Sequence, residues 1–346
     1  MGFTPTLSAL ARSITAASMI AGAALSTPVF AAEEVNVYSY RQPFLIKPMF
    51  DRFTKDTGIK VNTVFAKNGL VERLQSEGRN SPADLIFTVD VGNLSNAVEA
   101  GLTQSVESDA LNASIPAEFR DADGQWFGLT NRARIIVTST ERVKAGEITS
   151  YEDLAKPELA GRICTRSGKH VYMNALIASM IAHHGEADAK TWLSGVKNNL
   201  ARTPQGNDRA QVKAISEGEC DVAVINSYYM GAMQTDEEQS EWAASVNIIF
   251  PNQNNRGTHM NIAGMSMTAA APNKDNAMKL MEFLASDLAQ SMYAEQNHEY
   301  PVNKAVPASG LVRSWGEFQH DTLPLSDIVK HRVTASKMVD EVGYDG

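Results

Sequence analysis

The chain has 346 residues, 31 basic and 40 acidic side chains, a net charge of −9 and two cysteines. Such a balance excludes a nucleic-acid binder, which needs clustered Lys and Arg to neutralise phosphates. The length suffices for one large or two medium domains, each with its own core.

Residues 1–31 read as a secretory signal with cleavage after Ala31. Arg12 is the one charge before Glu33, a small-apolar run follows from Ile14 to Leu25, and Val29-Phe30-Ala31 fits the small-residue cleavage rule. The run is too short and too rich in alanine to span a bilayer, which takes about 20 apolar residues. The chain is then expected to be exported. In an exported chain two cysteines most often form one disulfide, so Cys164 and Cys220 are expected to pair. They lack zinc-ligand spacing.

After the signal, "VNVYSY" reads as a strand. "LIKPMFDRFTKDTG" is a helix with Leu45, Met49, Phe50 and Phe53 at helical spacing and Gly58 as its stop. "IKVNTVFA" alternates as a strand, "GLVERLQSEG" is a helix, and "ADLIFTVD" is a continuous apolar strand. This β-α-β-α-β order predicts a parallel sheet flanked by helices. "LSNAVEAGL" adds a helix. Asp123-Gly124 then signals a hairpin turn ahead of the strand-like "FGLTNRARIIVTS"; "DADG" resembles the start of a calcium loop, but the later ligands are missing.

The α/β alternation then repeats. "YEDLAKPELAGRICTRS" reads as helix, loop and strand. "YMNALIASMIAHHG" is a helix closed by Gly185, with His183-His184 as a C-terminal cap. "DAKTWLSGVKNNL" and "DRAQVKAISEGE" are helices, and "CDVAVIN" is a buried strand. "VNIIFPNQ" and "HMNIAGMSMTAA" are strand-like, and "NKDNAMKLMEFLASDLAQSMYAEQ" is a long helix interrupted near Ser286. Two α/β units without a long linker predict two lobes between which the chain crosses. Ligands then bind at the carboxyl ends of strands.

Tyr228-Tyr229 follows such a strand directly. Adjacent strand side chains point to opposite faces, so both phenols serve one site only if the strand has ended. Tyr172 lies in the opening turn of a helix after "TRSGK". A phenolate is a hard oxygen donor suited to a hard trivalent cation. A bound metal deprotonates a phenol whose ordinary pKa is ~10. The competing reading for each tyrosine is packing, with the hydroxyl reaching water. Arg132 and Arg134 alternate on a strand, as either a solvated sheet edge or a clamp on an anion.

Five segments, "YSYRQPFLIKPMFDRF", "DLIFTVDVGNL", "DADGQWFGLTNRARIIVTS", "RICTRSGKHVYMNALIASMIAHHG" and "GECDVAVINSYYMGAM", resemble the periplasmic ferric-iron-binding proteins. These are the substrate-binding subunits of iron ABC transporters. The resemblance runs from about Val35 to the C-terminus. It implies an α/β, two-lobed type II periplasmic-binding-protein fold, transferrin-like, each lobe a mixed sheet flanked by helices with a cleft between them. The first lobe is expected at 35–133 plus about 251–290, the second at 134–250 plus about 291–346.

Carried over residue by residue, the resemblance makes Tyr172, Tyr228 and Tyr229 ligands of Fe3+, with Fe2+ left open. Gln42 and Pro43 stand where many members carry His and Tyr, so an exogenous anion such as carbonate, or water, is expected to complete the shell. Tyr40 is an additional candidate ligand. Arg41, Arg132 and Arg134 are expected to hold the anion or to stand behind the ligands. The implied partner is an inner-membrane iron permease, and the implied state a monomer that is neither membrane-embedded nor an enzyme. A small organic anion, a phosphonate or a polyamine on the same fold is the alternative. The sequence shows no Asp or Glu beside the tyrosine motifs, which argues against a polyamine. It shows no nucleophile elbow or zincin helix either, and His298-Glu299 lacks a second His at the right spacing.

Overall fold

The computed structural model describes Met1 and residues 33–346, so the expected signal and its cleavage site lie outside the described residues apart from Met1. The chain opens with β1 (Glu34–Ser39), α1 (Pro43–Thr57), β2 (Lys60–Phe65), α2 (Leu70–Glu77) and β3 (Leu85–Thr88). Strand β1 pairs in parallel with both β2 and β3, as the β-α-β order predicts. Helix α1 buries Ile46, Met49, Phe50 and Phe53. Pro43 begins it, where a missing N–H is harmless, and Gly58 ends it at φ 76°. Next come α3 (Val91–Glu99), capped by the Asp90 carboxylate on the Asn93 N–H, and α4 (Asp109–Ser114).

Strand β4 (Phe127–Ser139) is buried along all 13 residues and changes neighbours midway. The elements that follow are β5 (Ile163–Cys164), α5 (Val171–Asn198), α6 (Asp208–Ser216), β6 (Val222–Asn226), α7 (Ser227–Gln234), α8 (Ser240–Ala244), β7 (Val246–Ile249) and β8 (Met260–Met267). Phe127–Ala133 pairs antiparallel with β8, which continues to β3, whereas Arg134–Thr138 pairs with β6 and Ile136–Ser139 with β7. At the switch the Ala133 N–H donates to the Ser227 hydroxyl at 3.2 Å, and the Arg134 N–H donates to the His259 carbonyl at 2.9 Å. One backbone thus passes from a sheet half built on β1–β3 to one built on β5 and β6. One hydrophobic cluster runs through both halves, from Val37, Phe50, Phe87 and Met265 to Ile163, Val222 and Val224, and a second, with Ile135, Cys164, Ile225 and Met230, lies on the β5–β6 half.

Helices α9 (Lys274–Ala285) and α10 (Asp287–Asn297) are broken at Ser286, as expected. Ser286 leaves helical geometry and its hydroxyl accepts the Ala289 N–H. Helix α10 packs on α1, and β9 (Tyr300–Pro301) pairs with Thr130 and Asn131 of β4. The chain finishes with α11 (Gly310–Arg313), α12 (Leu325–Val329) and α13 (Arg332–Glu341), the last two packed on α5. Among the described residues no helix is long and apolar enough to cross a membrane.

Three local readings change. "YEDLAKPELA" forms two short 3-10 turns, Glu152–Ala155 and Pro157–Leu159, because Pro157 forces Lys156 out of helical geometry. The helix from Val171 is closed at Gly185 (φ 80°, ψ 167°) as expected, and a second helix follows it within α5, but the His183 and His184 rings at that end bond Asp321 at 2.6 Å and Glu152 at 2.8 Å rather than capping the helix. Asp123-Gly124 makes the expected turn, organised by the Asp121 carboxylate on the Asp123 and Gln125 amides, but only a single bridge, Arg120 to Phe127, flanks it.

The Cys164–Cys220 disulfide is present and ties the end of β5 to the residue two before its parallel neighbour β6. Closing a loop of this separation stabilises a fold by about 4 kcal/mol in the chain-entropy model. The Cys164→Ser/Cys220→Ser variant is expected to lose about that much in urea unfolding.

Candidate metal site

Strand β6 ends at Asn226 and α7 begins at Ser227, so Tyr228 and Tyr229 occupy a helical first turn rather than opposite faces of a strand. Their rings stack with centroids 4.2 Å apart and planes at 29°. Tyr172 sits in the first turn of α5, after the loop that leaves β5. Because β5 and β6 run parallel, their carboxyl ends deliver both motifs to one side of the sheet.

His170 precedes α5, and its Nδ1 accepts the Tyr172 N–H at 3.2 Å. Burial, followed by the charge of Arg166, lowers the His170 pKa to about 3, so the ring is neutral and free to accept. Tyr172 is buried, and Tyr228 and Tyr229 are half-buried. Burial, then the neighbouring Tyr172 and Tyr229, holds the Tyr228 phenol well above its ordinary pKa against the pull of Arg132. Burial, then Asp208 and Tyr172, raises Tyr229. Both phenols therefore keep their protons at neutral pH until a cation displaces them.

Guanidinium groups surround the phenols. Those of Arg132 and Arg166 lie 5.4 and 5.1 Å from the centre of the Tyr172 ring. Arg41 donates to Glu299 at 2.7 and 3.3 Å, and Arg132 stands 3.9 Å from the same carboxylate. Arg134 and Arg166 each donate to Asp208 at 3.0 Å. All four arginines are buried, so Arg132 and Arg134 do not form a solvated edge. They are neighbours on β4 that answer to different carboxylates. Among the described residues, Nε and Nη2 of Arg132 and of Arg134 and Nε of Arg41 and Arg166 have no hydrogen-bond partner, which leaves donors for an anion.

Tyr40 is placed differently. Its hydroxyl accepts the Val71 N–H at 2.9 Å at the start of α2, and its ring packs on the cluster of Tyr38, Leu70, Leu74 and Ile86. Gln42 opens α1 and lines a cavity of about 590 Å³ with Tyr228, Tyr229, Arg209 and His298. Gly231 lets that histidine close on α7, since a Cβ there would lie 2.4 Å from His298 Cβ.

Asp208, Glu299 and Arg166 escaped the sequence reading, which saw no acid beside the tyrosine motifs. Asp208 opens α6 and Glu299 follows α10, so both reach the site through the fold and not through the motifs. The one local signal was that "NDRAQV" starts a helix next to the strand that ends in the tyrosines. Among the described residues no group of three or more His, Cys, Asp or Glu side chains is placed to hold a metal.

Residues 80–313 match the family model described as bacterial extracellular solute-binding protein. The chain is 42% identical over 315 residues to iron uptake protein A1 of Synechocystis, covering 90% of this chain and 88% of that one. It superposes on the apo ferric ion-binding protein A of Pasteurella haemolytica with a TM-score of 0.87 at 52% identity, covering 91% and 99% of the two chains. A Trichodesmium protein in complex with iron and citrate gives 0.86 at 42% identity, covering 90% and 99%. The fold is the two-lobed type II periplasmic-binding fold. The chain belongs to the bacterial extracellular solute-binding proteins, and among them to the periplasmic ferric-iron-binding family.

Proposed function

We propose that this protein binds Fe3+ in the periplasm and delivers it to an inner-membrane ABC permease. The observation that carries this is the meeting of Tyr172, Tyr228 and Tyr229 beside four buried arginines, with no competing His, Cys or carboxylate cluster among the described residues. Three phenolates match the charge and hardness of a ferric ion. An anion such as carbonate, or water, completes the shell, and the arginine nitrogens without partners are its donors. Tyr40, its hydroxyl already engaged, stays outside the shell.

The polyamine alternative needs free carboxylates. Asp208 and Glu299 are both buried against arginines and offer none. Iron is cargo, and the site performs no catalysis on it.

The export signal is residues 1–31, and the working form is a monomer whose lobes close on the ion. The division lies between Ala133 and Arg134, where β4 changes partners, and again near residue 251. The packing of α10 on α1 and of β9 on β4 supports placing 291 to about 306 with the first lobe as well.

The test is a titration of apo protein with ferric iron. A visible phenolate-to-iron charge-transfer band at one equivalent is expected, and a protein that stays colourless would refute the proposal. The pH dependence has a definite sign. The Tyr228 and Tyr229 pKa values are raised in the free protein, so these ligands release a proton on binding and affinity falls with falling pH, by ~10-fold per pH unit for each proton released. Affinity measured against a competing chelator at several pH values checks it.

A further inference from the structure

Asp208 is the first residue of α6 and is fully buried, yet it belongs to neither tyrosine motif. Its Oδ1 accepts from Arg166 at 3.0 Å, and its Oδ2 accepts from Arg134 at 3.0 Å and from the Asn226 backbone N–H at 2.9 Å. Those three partners belong to three strands or the residues just beyond them. Arg134 is on β4 at the point where it changes neighbours. Arg166 leaves β5, and Asn226 is the last residue of β6, directly before Ser227-Tyr228-Tyr229. Arg134 also donates to the Asn226 side chain at 3.1 Å, which locks the same corner a second time. Arg166 carries the connection to the other motif, since its guanidinium lies over the Tyr172 ring.

We propose that Asp208 is the positioning residue of the tyrosine site. A single carboxylate sets Arg166 on Tyr172 and fixes the strand end from which Tyr228 and Tyr229 turn into α7. The proposal rests on the reading of these three tyrosines as iron ligands. Asp208 does not touch the cargo. It acts through the backbone of Asn226 and the guanidinium of Arg166. Buried groups that orient metal ligands in this way typically change affinity 10- to 100-fold when altered, because each ligand then samples geometries that do not bind.

The sharpest variant is Asp208→Asn, which keeps the side-chain volume and an acceptor for the Asn226 N–H but replaces one oxygen by a donor that faces a guanidinium. The expected result is apo protein with native circular dichroism, iron affinity about 10- to 100-fold weaker, and a displaced visible band. Asp208→Glu, which restores the charge one methylene further out, is expected to recover the band position in part. A residue with a purely structural role would lower the melting temperature and leave band and affinity at their wild-type values, and that outcome overturns the proposal.

If Asp208→Asn does not fold, Arg166→Gln tests the same link, since Asp208 keeps Arg134 and Asn226 there. A displaced band with about 10-fold weaker binding is expected, and unchanged values overturn the proposal. The unaltered protein is titrated in parallel. If it shows no band at all, the tyrosine reading itself has failed, which is distinct from a failure confined to the Asp208 variants.

Discussion

The Tyr228→Phe/Tyr229→Phe variant is expected to lose the visible band and to bind ferric iron at least ~1,000-fold more weakly, with an apo protein of nearly unchanged stability. Each substitution removes a single oxygen and keeps the ring, so the stack at 4.2 Å and its packing at the start of α7 survive. Burial already opposes charge on both phenols, so phenylalanine suits the apo site at least as well as tyrosine does. The holo site is another matter. Without the two oxygens the ion keeps one phenolate, and two of its positive charges stay uncompensated in a cleft of low dielectric. Competition against a chelator measures the affinity, and urea unfolding of the apo form measures stability. Iron bound at full strength by the double variant would end the tyrosine reading. The single variants and Tyr172→Phe are expected to fall between.

Glu299→Ala is expected to do the reverse, destabilising the apo protein by about 3–5 kcal/mol. Glu299 takes two bonds from Arg41 and faces Arg132 at 3.9 Å, in a site where both guanidiniums are only 2% exposed. Burial alone disfavours the charge on Arg41, and Glu299 more than restores it. Once the carboxylate is gone, two cations remain in the interior, and among the described residues Thr130 is the one further side-chain partner of Arg41. The urea midpoint should drop with little change in slope. The Arg41→Met/Glu299→Leu variant is a useful control, because replacing a buried pair by apolar groups of similar size is often close to neutral. It is expected to recover much of the loss. A loss below about 1 kcal/mol in Glu299→Ala would show that water reaches this pair.

Much of this architecture was legible because burial imposes a period. The face of Ile46, Met49, Phe50 and Phe53 announces α1, the unbroken apolar runs announce β3 and β6, and Ser286 announces the break between α9 and α10. The tyrosine pair was legible because two adjacent phenols after a buried strand make chemical sense only if the strand has stopped. What remained hidden is long-range. Strand β4 is buried on both faces, so its sequence has no alternation to show where it exchanges β8 for β6. Asp208 and Glu299 looked like ordinary acids near helix ends. Only the packing of α6 on β6 and the return of the chain through β9 bring them to the arginines. Arg132 and Arg134 carried the right signal, since two guanidiniums two residues apart in a buried strand require carboxylates from somewhere.

The shared carboxylates also decide which anion the proposed complex accepts. Arg41 and Arg132 divide Glu299 between them, and Arg134 and Arg166 divide Asp208, so each triad keeps one surplus positive charge. Arg209 and Asp236 line the outer cavity with opposite formal charges, and His170 is neutral. Three phenolates cancel the ferric ion itself. On this count the proposed complex carries two surplus positive charges before any anion arrives. A dianion such as carbonate, or a dicarboxylate, removes that surplus, whereas a halide leaves half of it inside. In the proposed complex the anion is therefore expected to be selected by valence, through acids that lie outside both tyrosine motifs.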